Sequence, residues 1–419
     1  MLSKICQYLK PISISLSPNT QKDDVWLALK LRFQPWKWKK GKAIGELEKS
    51  FREYLGAKYA FSFNSGRSAL LAILSSLGLE KGDEVLLQAF TCNAVPNPVL
   101  WSGLKPVYVD CREDDFNIDA EDLERKIGPQ SKVVIVQHTF GLPADMDRII
   151  EICQRRNLIL IEDCAHALGA KYQGKLVGTF GKAAFFSFSR DKVISSVYGG
   201  MAVTNDAALG EKIKEFQEKI GHPSFFWIRQ QIFHPIFMNL VILPTYKIFG
   251  KYLLVLFQWL HIFSKAVHWK EKRGMKPSYF PKQMPNALAA LAFHQFQKLE
   301  KFNAHRKQLA EFYYENLKGT TFKLPTKFLG REHIFLRFSL NHARAHEIIR
   351  KAWAENLLIG DWYTSPIAPH DTRLDAMGYI AGSCPNAEKL ANITLNLPTH
   401  INCSLKDAQI IVDFLKNIL

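Results

Sequence analysis

The run "AAFFSFSRDK" (183–192) carries the reading of the fold. An unbroken apolar stretch with one serine in it, Ser187, reads as a buried strand. Lys192 follows just past its end, behind Arg190. A lysine there is either a solvated cap or an amine held at the lip of a sheet. A solvated lysine, with a pKa of about 10.4, is a poor nucleophile at neutral pH, whereas a desolvated one titrates lower and can attack an aldehyde.

The same pattern recurs upstream. "EVLLQ" (84–88), "KPVYVD" (105–110), "KVVIVQH" (132–138) and "LILIED" (158–163) are short apolar runs rich in Val, Ile and Leu. Helix-like stretches such as 119–127 and 145–156 separate them. Apolar runs alternating with helices predict an α/β fold, with a mostly parallel sheet covered on both faces. Ligands of such sheets sit at the carboxyl ends of the strands.

Two further stretches place polar groups at such ends. "LILIEDCAHALGA" (158–170) puts Asp163 at the end of one run and His166 three residues on. Asp163 is also compatible with an ordinary helix N-cap, and His166 with a packed core histidine. "FNSGRSALLAIL" (63–74) sets Ser65, Gly66, Arg67 and Ser68 at the start of an apolar helix. Open N–H groups at a helix start suit an anion, although a plain Ser/Gly cap has the same sequence. "GAKYQGKL" (169–176) has the GxxxxGK spacing of a P-loop. Leu176 replaces the required Ser or Thr, and a strand-like run follows, so that reading fails.

With 419 residues the chain is long enough for two domains. A formal net charge of +16 favours anionic partners. No zinc, helix-turn-helix or RNA-binding signature accompanies it, so nucleic acid is not an expected partner. The seven cysteines are scattered without a CxxC pair, which suits a reducing cytoplasm.

Lys192, Ser187, Asp163 and the Ser65–Ser68 turn together form a set suited to pyridoxal 5'-phosphate: an amine for the aldehyde, a carboxylate for the pyridine nitrogen, and a helix start with a serine for the phosphate. At this point the chain resembles the DegT/DnrJ/StrS-type sugar aminotransferases, a group of fold-type I pyridoxal-phosphate enzymes. The resemblance rests on "GKAIGELEKSFREYLGAKYAFSFNSGRSAL", "GDEVLLQAFTCNAVPNPVLWSGLKPVYVDCREDDFNIDAEDLE", "HTFGLPADMDRI", "IEDCAHALGA", "GTFGKAAFFSFSRDK", "GGMAV" and "CPNAEKLANITLNLPTH", in family order over about 41–205 and 284–419.

The resemblance implies Lys192 as the Schiff-base lysine and proton carrier, and Asp163 as partner of the pyridine nitrogen. It sets His166 against the ring or its oxygen, and Ser187 at the phosphate with Ser65, Gly66 and Arg67. Phe90 would stack on the ring; simple core packing is the competing reading. The implied activity moves an amino group from an amino acid, glutamate in the first instance, to a keto group of a nucleotide-linked sugar for polysaccharide synthesis, in a homodimer. Relatives that are pyridoxamine-dependent sugar dehydratases replace the lysine with histidine. A membrane-associated scaffold without catalysis is the remaining alternative.

The chain departs from the family in three places. Arg67 stands where Thr is usual. "PKQM" (281–284) puts Pro281 and Gln283 where Asn and Arg are expected, and that Asn reaches the neighbouring subunit's phosphate in relatives. "WYTSPIAPH" (362–370) delays a histidine to His370.

The expected domains are an irregular basic leader (1–43), a cofactor-binding large domain (44–218), an apolar cationic insertion (219–276), and a linking helix with a small α+β domain (277–419). Residues 219–270 hold no Asp or Glu and six Lys or Arg. The apolar stretches are shorter than the ~20 residues of a spanning helix. The segment fits a helix pair lying in a membrane interface, a subunit contact, or a cap over the site. The expected location is cytoplasmic, with membrane association through 219–276 under the first of these three readings.

Overall fold

The computed structural model describes residues 10–418. Seven strands form one sheet: β1 (Tyr59–Phe63), β2 (Glu84–Gln88), β3 (Lys105–Val109), β4 (Ser131–Gln137), β5 (Ile159–Asp163), β6 (Ala183–Ser187) and β7 (Gly200–Thr204). Their spatial order is β1-β7-β6-β5-β4-β2-β3. β7 runs antiparallel to both neighbours, while the pairs from β6 through β3 are parallel.

Strand alternation explains the unbroken apolar runs. In β4, Val134 and Val136 enter one buried cluster while Val133 and Ile135 enter another. In β6, Ala184 and Phe186 join the first cluster and Phe185 the second. Both faces of the sheet are therefore dry, so neither set of alternate positions is polar.

Helices flank this sheet. α1 (Lys22–Arg32) and α2 (Ala43–Leu55) precede it, and α3 (Gly66–Ser76) follows β1. α2 stops at Gly56, whose φ of 65° is left-handed and favours glycine. The leader differs from its expected irregular character. α1 carries a reciprocal N-terminal cap between Gln21 and Asp24 and packs along α4 (Phe225–Phe237). Residues 1–9 of that leader lie outside the described residues.

The segment 219–276 forms a bent helix pair. One arm runs Phe225–Ile242, the other Tyr246–Trp259 and includes α5 (Lys251–Trp259), with 107° between them. Pro244 lies in the break. Among the described residues, no single helix is long and apolar enough to cross a membrane. After it come α6 (Asn286–Phe296) and α7 (Leu299–Leu317). A smaller unit follows, in which β8 (Phe338–Asn341) and β9 (Thr394–Leu397) pair antiparallel beside α8 (Ala345–Ala354) and α9 (Leu405–Asn417).

Candidate active site

Adjacent acids at the end of β5 show how the sheet selects the site. Successive side chains point to opposite faces. Glu162 is held away from solvent by the N–H groups of Gly178, Phe180 and Gly181 at 2.7–2.8 Å. Asp163 points into a cavity also lined by Gly66, Arg67, His166, Ser187 and Lys192. These come from the carboxyl ends of β5 and β6 and the start of α3. Six of the eight expected site residues thus meet in one place.

Asp163 is 3% exposed and accepts a hydrogen bond from the Ala165 N–H at 2.9 Å. Burial pushes its carboxyl up to about 6, against the pull of that N–H and of Lys192. Burial lowers the Lys192 ammonium from its ordinary value; Asp191, Cys92 and Asp163 oppose this, and Arg337 adds to it. The two shifts run in opposite directions for one shared cause, the removal of both groups from water, and groups perturbed in this way mark a candidate site.

His166 accepts from the Phe140 N–H through Nδ1 at 3.3 Å, so its ring proton belongs on Nε2, 3.4 Å from the Tyr363 hydroxyl. Burial, then Lys192 and Arg337, hold its pKa well below the ordinary value, which keeps the ring neutral. Trp362 stacks on it with centroids 5.3 Å apart, and the Lys192 Nζ lies 4.7 Å from the Trp362 ring centre.

The remaining two expected residues lie elsewhere. Ser65 is the N-cap of α3: its Oγ accepts from the Ser68 N–H at 3.1 Å, which uses the hydroxyl within the helix start. Phe90 has a left-handed φ of 63°. The chain turns there, and its ring enters an aromatic cluster with Phe116 at 5.7 Å and Tyr363 at 5.3 Å. The core-packing reading of Phe90 therefore replaces the stacking one. Cys92, two residues on, lines the cavity instead.

Arg67 differs from its expected role as a grip on phosphate. Its Nε lies 2.7 Å from Glu271 Oε1, off the line of a good hydrogen bond, and Nη2 donates to the Ala266 carbonyl at 3.1 Å. Burial alone would lower the Arg67 pKa, but Glu271 together with Tyr198, Cys92 and Tyr279 outweighs it, so the guanidinium stays charged. The arginine is thus tied to the last turn of the insertion. Gln283 is likewise engaged, donating to the Gln217 carbonyl at 2.8 Å.

Sequence reading did not single out Cys92, Trp362, Tyr363, Ala266 or Val267 as cavity residues, yet all line it, with His370 beside them. Trp362, Tyr363 and His370 fall within the quoted late element. The alanine and valine belong to the insertion, where no motif marks them.

The donor set fits a phosphorylated pyridine aldehyde. It offers an amine, a carboxylate, and the Ser187 and Ser189 hydroxyls, 3.1 Å from each other. Beside Ser187 the α3 start is close-packed: a Cβ on Gly66 would stand 3.1 Å from the Ser187 Cβ. Among the described residues no acceptor meets the Gly66 and Arg67 N–H groups, which leaves them open to an anion.

The sequence profile of the DegT/DnrJ/EryC1/StrS aminotransferase family matches residues 25–227 and 259–416. GDP-perosamine synthase of Escherichia coli O157:H7 is 39% identical over 182 residues, 43% of this chain and 50% of that protein. The chain thus matches about half the length of that relative. A UDP-N-acetyl-3-dehydro-alpha-D-glucosamine 3-aminotransferase of Acidithiobacillus ferrooxidans is 29% identical over 82% of this chain and 79% of that one. Helicobacter pylori PseC, an aminotransferase of pseudoaminic acid biosynthesis, shares the fold with a TM-score of 0.76 and 22% identity, covering 97% of this chain and 99% of its own. The family profile skips residues 228–258, most of the bent helix pair, and matches the sheet, the cavity residues and the small unit on either side of it. The chain belongs to the DegT/DnrJ/EryC1/StrS aminotransferase family.

Proposed function

We propose that this chain is a pyridoxal-phosphate-dependent aminotransferase that moves an amino group from an amino acid, glutamate in the first instance, to a keto group of a nucleotide-linked sugar, as a homodimer serving polysaccharide synthesis. The observation that carries the reading is the meeting of the Lys192 amine and the Asp163 carboxylate in one buried cavity with the start of α3. The named relatives support the sugar class of the acceptor.

When bound, pyridoxal phosphate supplies an aldehyde for the incoming amine and a ring that accepts electrons. The protein residues do the rest. Asp163 would hold a proton at the ring nitrogen, and that pairing would relieve the cost of its buried charge. Lys192, its ammonium destabilised by burial, would take a proton from the α-carbon of the donor and return it across the amino nitrogen. Ser187 and the open N–H groups of α3 bind phosphate. His166, neutral and fixed by the Phe140 N–H, orients an oxygen at the ring edge. The walls at Trp362 and Tyr363 exclude water.

The test uses the purified protein with pyridoxal phosphate. A visible absorbance band should form, and borohydride should fix a pyridoxyl group on Lys192. Glutamate should convert the band to that of the pyridoxamine form, and a GDP- or UDP-linked ketosugar should restore it. A protein that binds no cofactor, or labels elsewhere than Lys192, overturns the reading. A shift with glutamate but no recovery with any nucleotide-linked ketosugar overturns the acceptor class alone.

A further inference from the structure

We propose that the bent helix pair from Phe225 to Ile262 docks on an anionic lipid surface. The first observation is its composition on two faces. α5 has no buried residue. Leu253, Leu254 and Phe257 lean on a small cluster of Met238, Ile242, Leu243 and Phe263. The other side of the same helix is also apolar: Tyr252, Val255, Leu256 and Trp259 are 44–73% exposed, followed by Leu260. Ile248 and Phe249, just before α5 on the same arm, and Leu240 across the bend are exposed as well. A run of exposed apolar groups this long marks an interaction surface.

The second observation is charge. The segment has no acid between Lys219 and Lys270, and it carries Arg229, Lys247, Lys251 and Lys265. Tryptophan, tyrosine and lysine at one apolar surface are the composition of a helix lying at the headgroup level of a bilayer. A second copy of this chain suits the surface less well. A two-fold contact sets the same patch against itself, and here that would bring cations together with no acid of the segment to pair them.

Depth follows from the same residues. Lys247 and Lys251 lie just past the bend. A bend inserted tip-first would carry them into hydrocarbon at about 2.5–3.5 kcal/mol each. Lying flat keeps them among phosphates while the apolar side chains enter the acyl boundary. The family profile breaks off across 228–258, so this surface lies in a part of the chain that the profile does not describe. Its exit is tied to the cavity. Arg190 donates to the Ser264 carbonyl at 2.6 Å, Tyr198 to the Lys265 carbonyl at 2.5 Å, and Arg67 to that of Ala266. Docking through the helix pair would therefore hold the cavity close to the lipid.

The experiment is vesicle flotation of the full chain loaded with pyridoxal phosphate, with phosphatidylcholine vesicles with and without phosphatidylglycerol. The protein should float with the anionic vesicles and lose binding as salt rises. The pair Lys247→Gln and Lys251→Gln should weaken that binding roughly 30-fold, and Val255→Ser with Trp259→Ser should weaken it too, with unchanged circular dichroism. Brominated lipid should quench tryptophan emission in the parent and less in Trp259→Phe, a variant that keeps the aromatic bulk. Absence of binding to anionic vesicles at low salt overturns the proposal. So does Val255→Ser with Trp259→Ser converting a dimer to a monomer while vesicle binding is unchanged, since the patch then belongs to a second copy.

Discussion

The strand ends around Asp163 and the helix pair around Trp259 depart from ordinary partitioning in opposite senses. The first takes an acid, an amine and a histidine out of water. The second leaves large apolar side chains in it. The buried departure is largely matched within the chain: Asp163 has the Ala165 N–H, His166 the Phe140 N–H, and Arg67 has Glu271. The exposed departure has no match inside the fold. Compensation within the chain signals a site built for a small ligand, and its absence signals a surface completed from outside.

The largest expected effect comes from breaking the buried side. Lys192→Ala should lower single-turnover amino transfer by about 10⁴-fold, because the proton carrier is gone. Its circular dichroism and melting should hold, since a desolvated amine contributes little to packing. A rate within tenfold of the parent would mean that another group moves the proton.

The next effect tests whether the exit of the insertion belongs to the buried region. Glu271→Ala leaves the Arg67 guanidinium uncompensated away from water and should cost about 3–5 kcal/mol, read from the urea midpoint. Adding Arg67→Leu should return much of that loss. An additive double variant would show that the two charges do not act as a pair.

The sequence made the sheet and the strand-end residues legible for one reason: both depend on local pattern. Apolar runs of strand length bounded by Gly, Asp or Lys mark β2 to β6, and each candidate polar group follows directly from such an end. Phe90 was misplaced because a positive φ at one residue, which no composition signal announces, turned the chain and presented Cys92 to the cavity instead. Arg67 was legible as a departure but not as an ion pair, since its partner is 204 positions away and contact at that range is tertiary. The leader looks irregular in sequence because α1 has little amphipathic character of its own; it is stabilised by packing along α4, which local periodicity does not register.

Asp163→Asn gives a smaller effect whose sign distinguishes the two kinds of departure. The folded pKa of about 6 exceeds the ordinary 3.8, so the folded state binds more protons between these values. This contribution to stability is full below the unfolded value and is lost as pH rises through about 6. At pH 7 the ionised, buried carboxylate costs on the order of 1–3 kcal/mol. The asparagine variant without cofactor should therefore be more stable than the parent at pH 7, by that amount in urea, with the difference vanishing towards pH 4. Its affinity for pyridoxal phosphate should fall in the same preparation. A variant less stable at neutral pH would show that the carboxylate is already satisfied in the empty cavity.

The smallest effect belongs to the exposed side and is informative because it is small. Val255 is 66% and Trp259 73% exposed, so a serine at either position removes little that folding had buried. Each should change stability in detergent-free buffer by no more than about 0.5 kcal/mol. The same truncations in a packed core would cost about 2–5 kcal/mol. A thermal melt with and without phosphatidylglycerol vesicles separates the cases. If the apolar face is completed by lipid, the parent gains stability from the vesicles and the serine variants gain less, although all three melt alike in buffer. A large loss in buffer alone would mean that the helix pair closes on the protein itself, and the two regions would then obey the same rule.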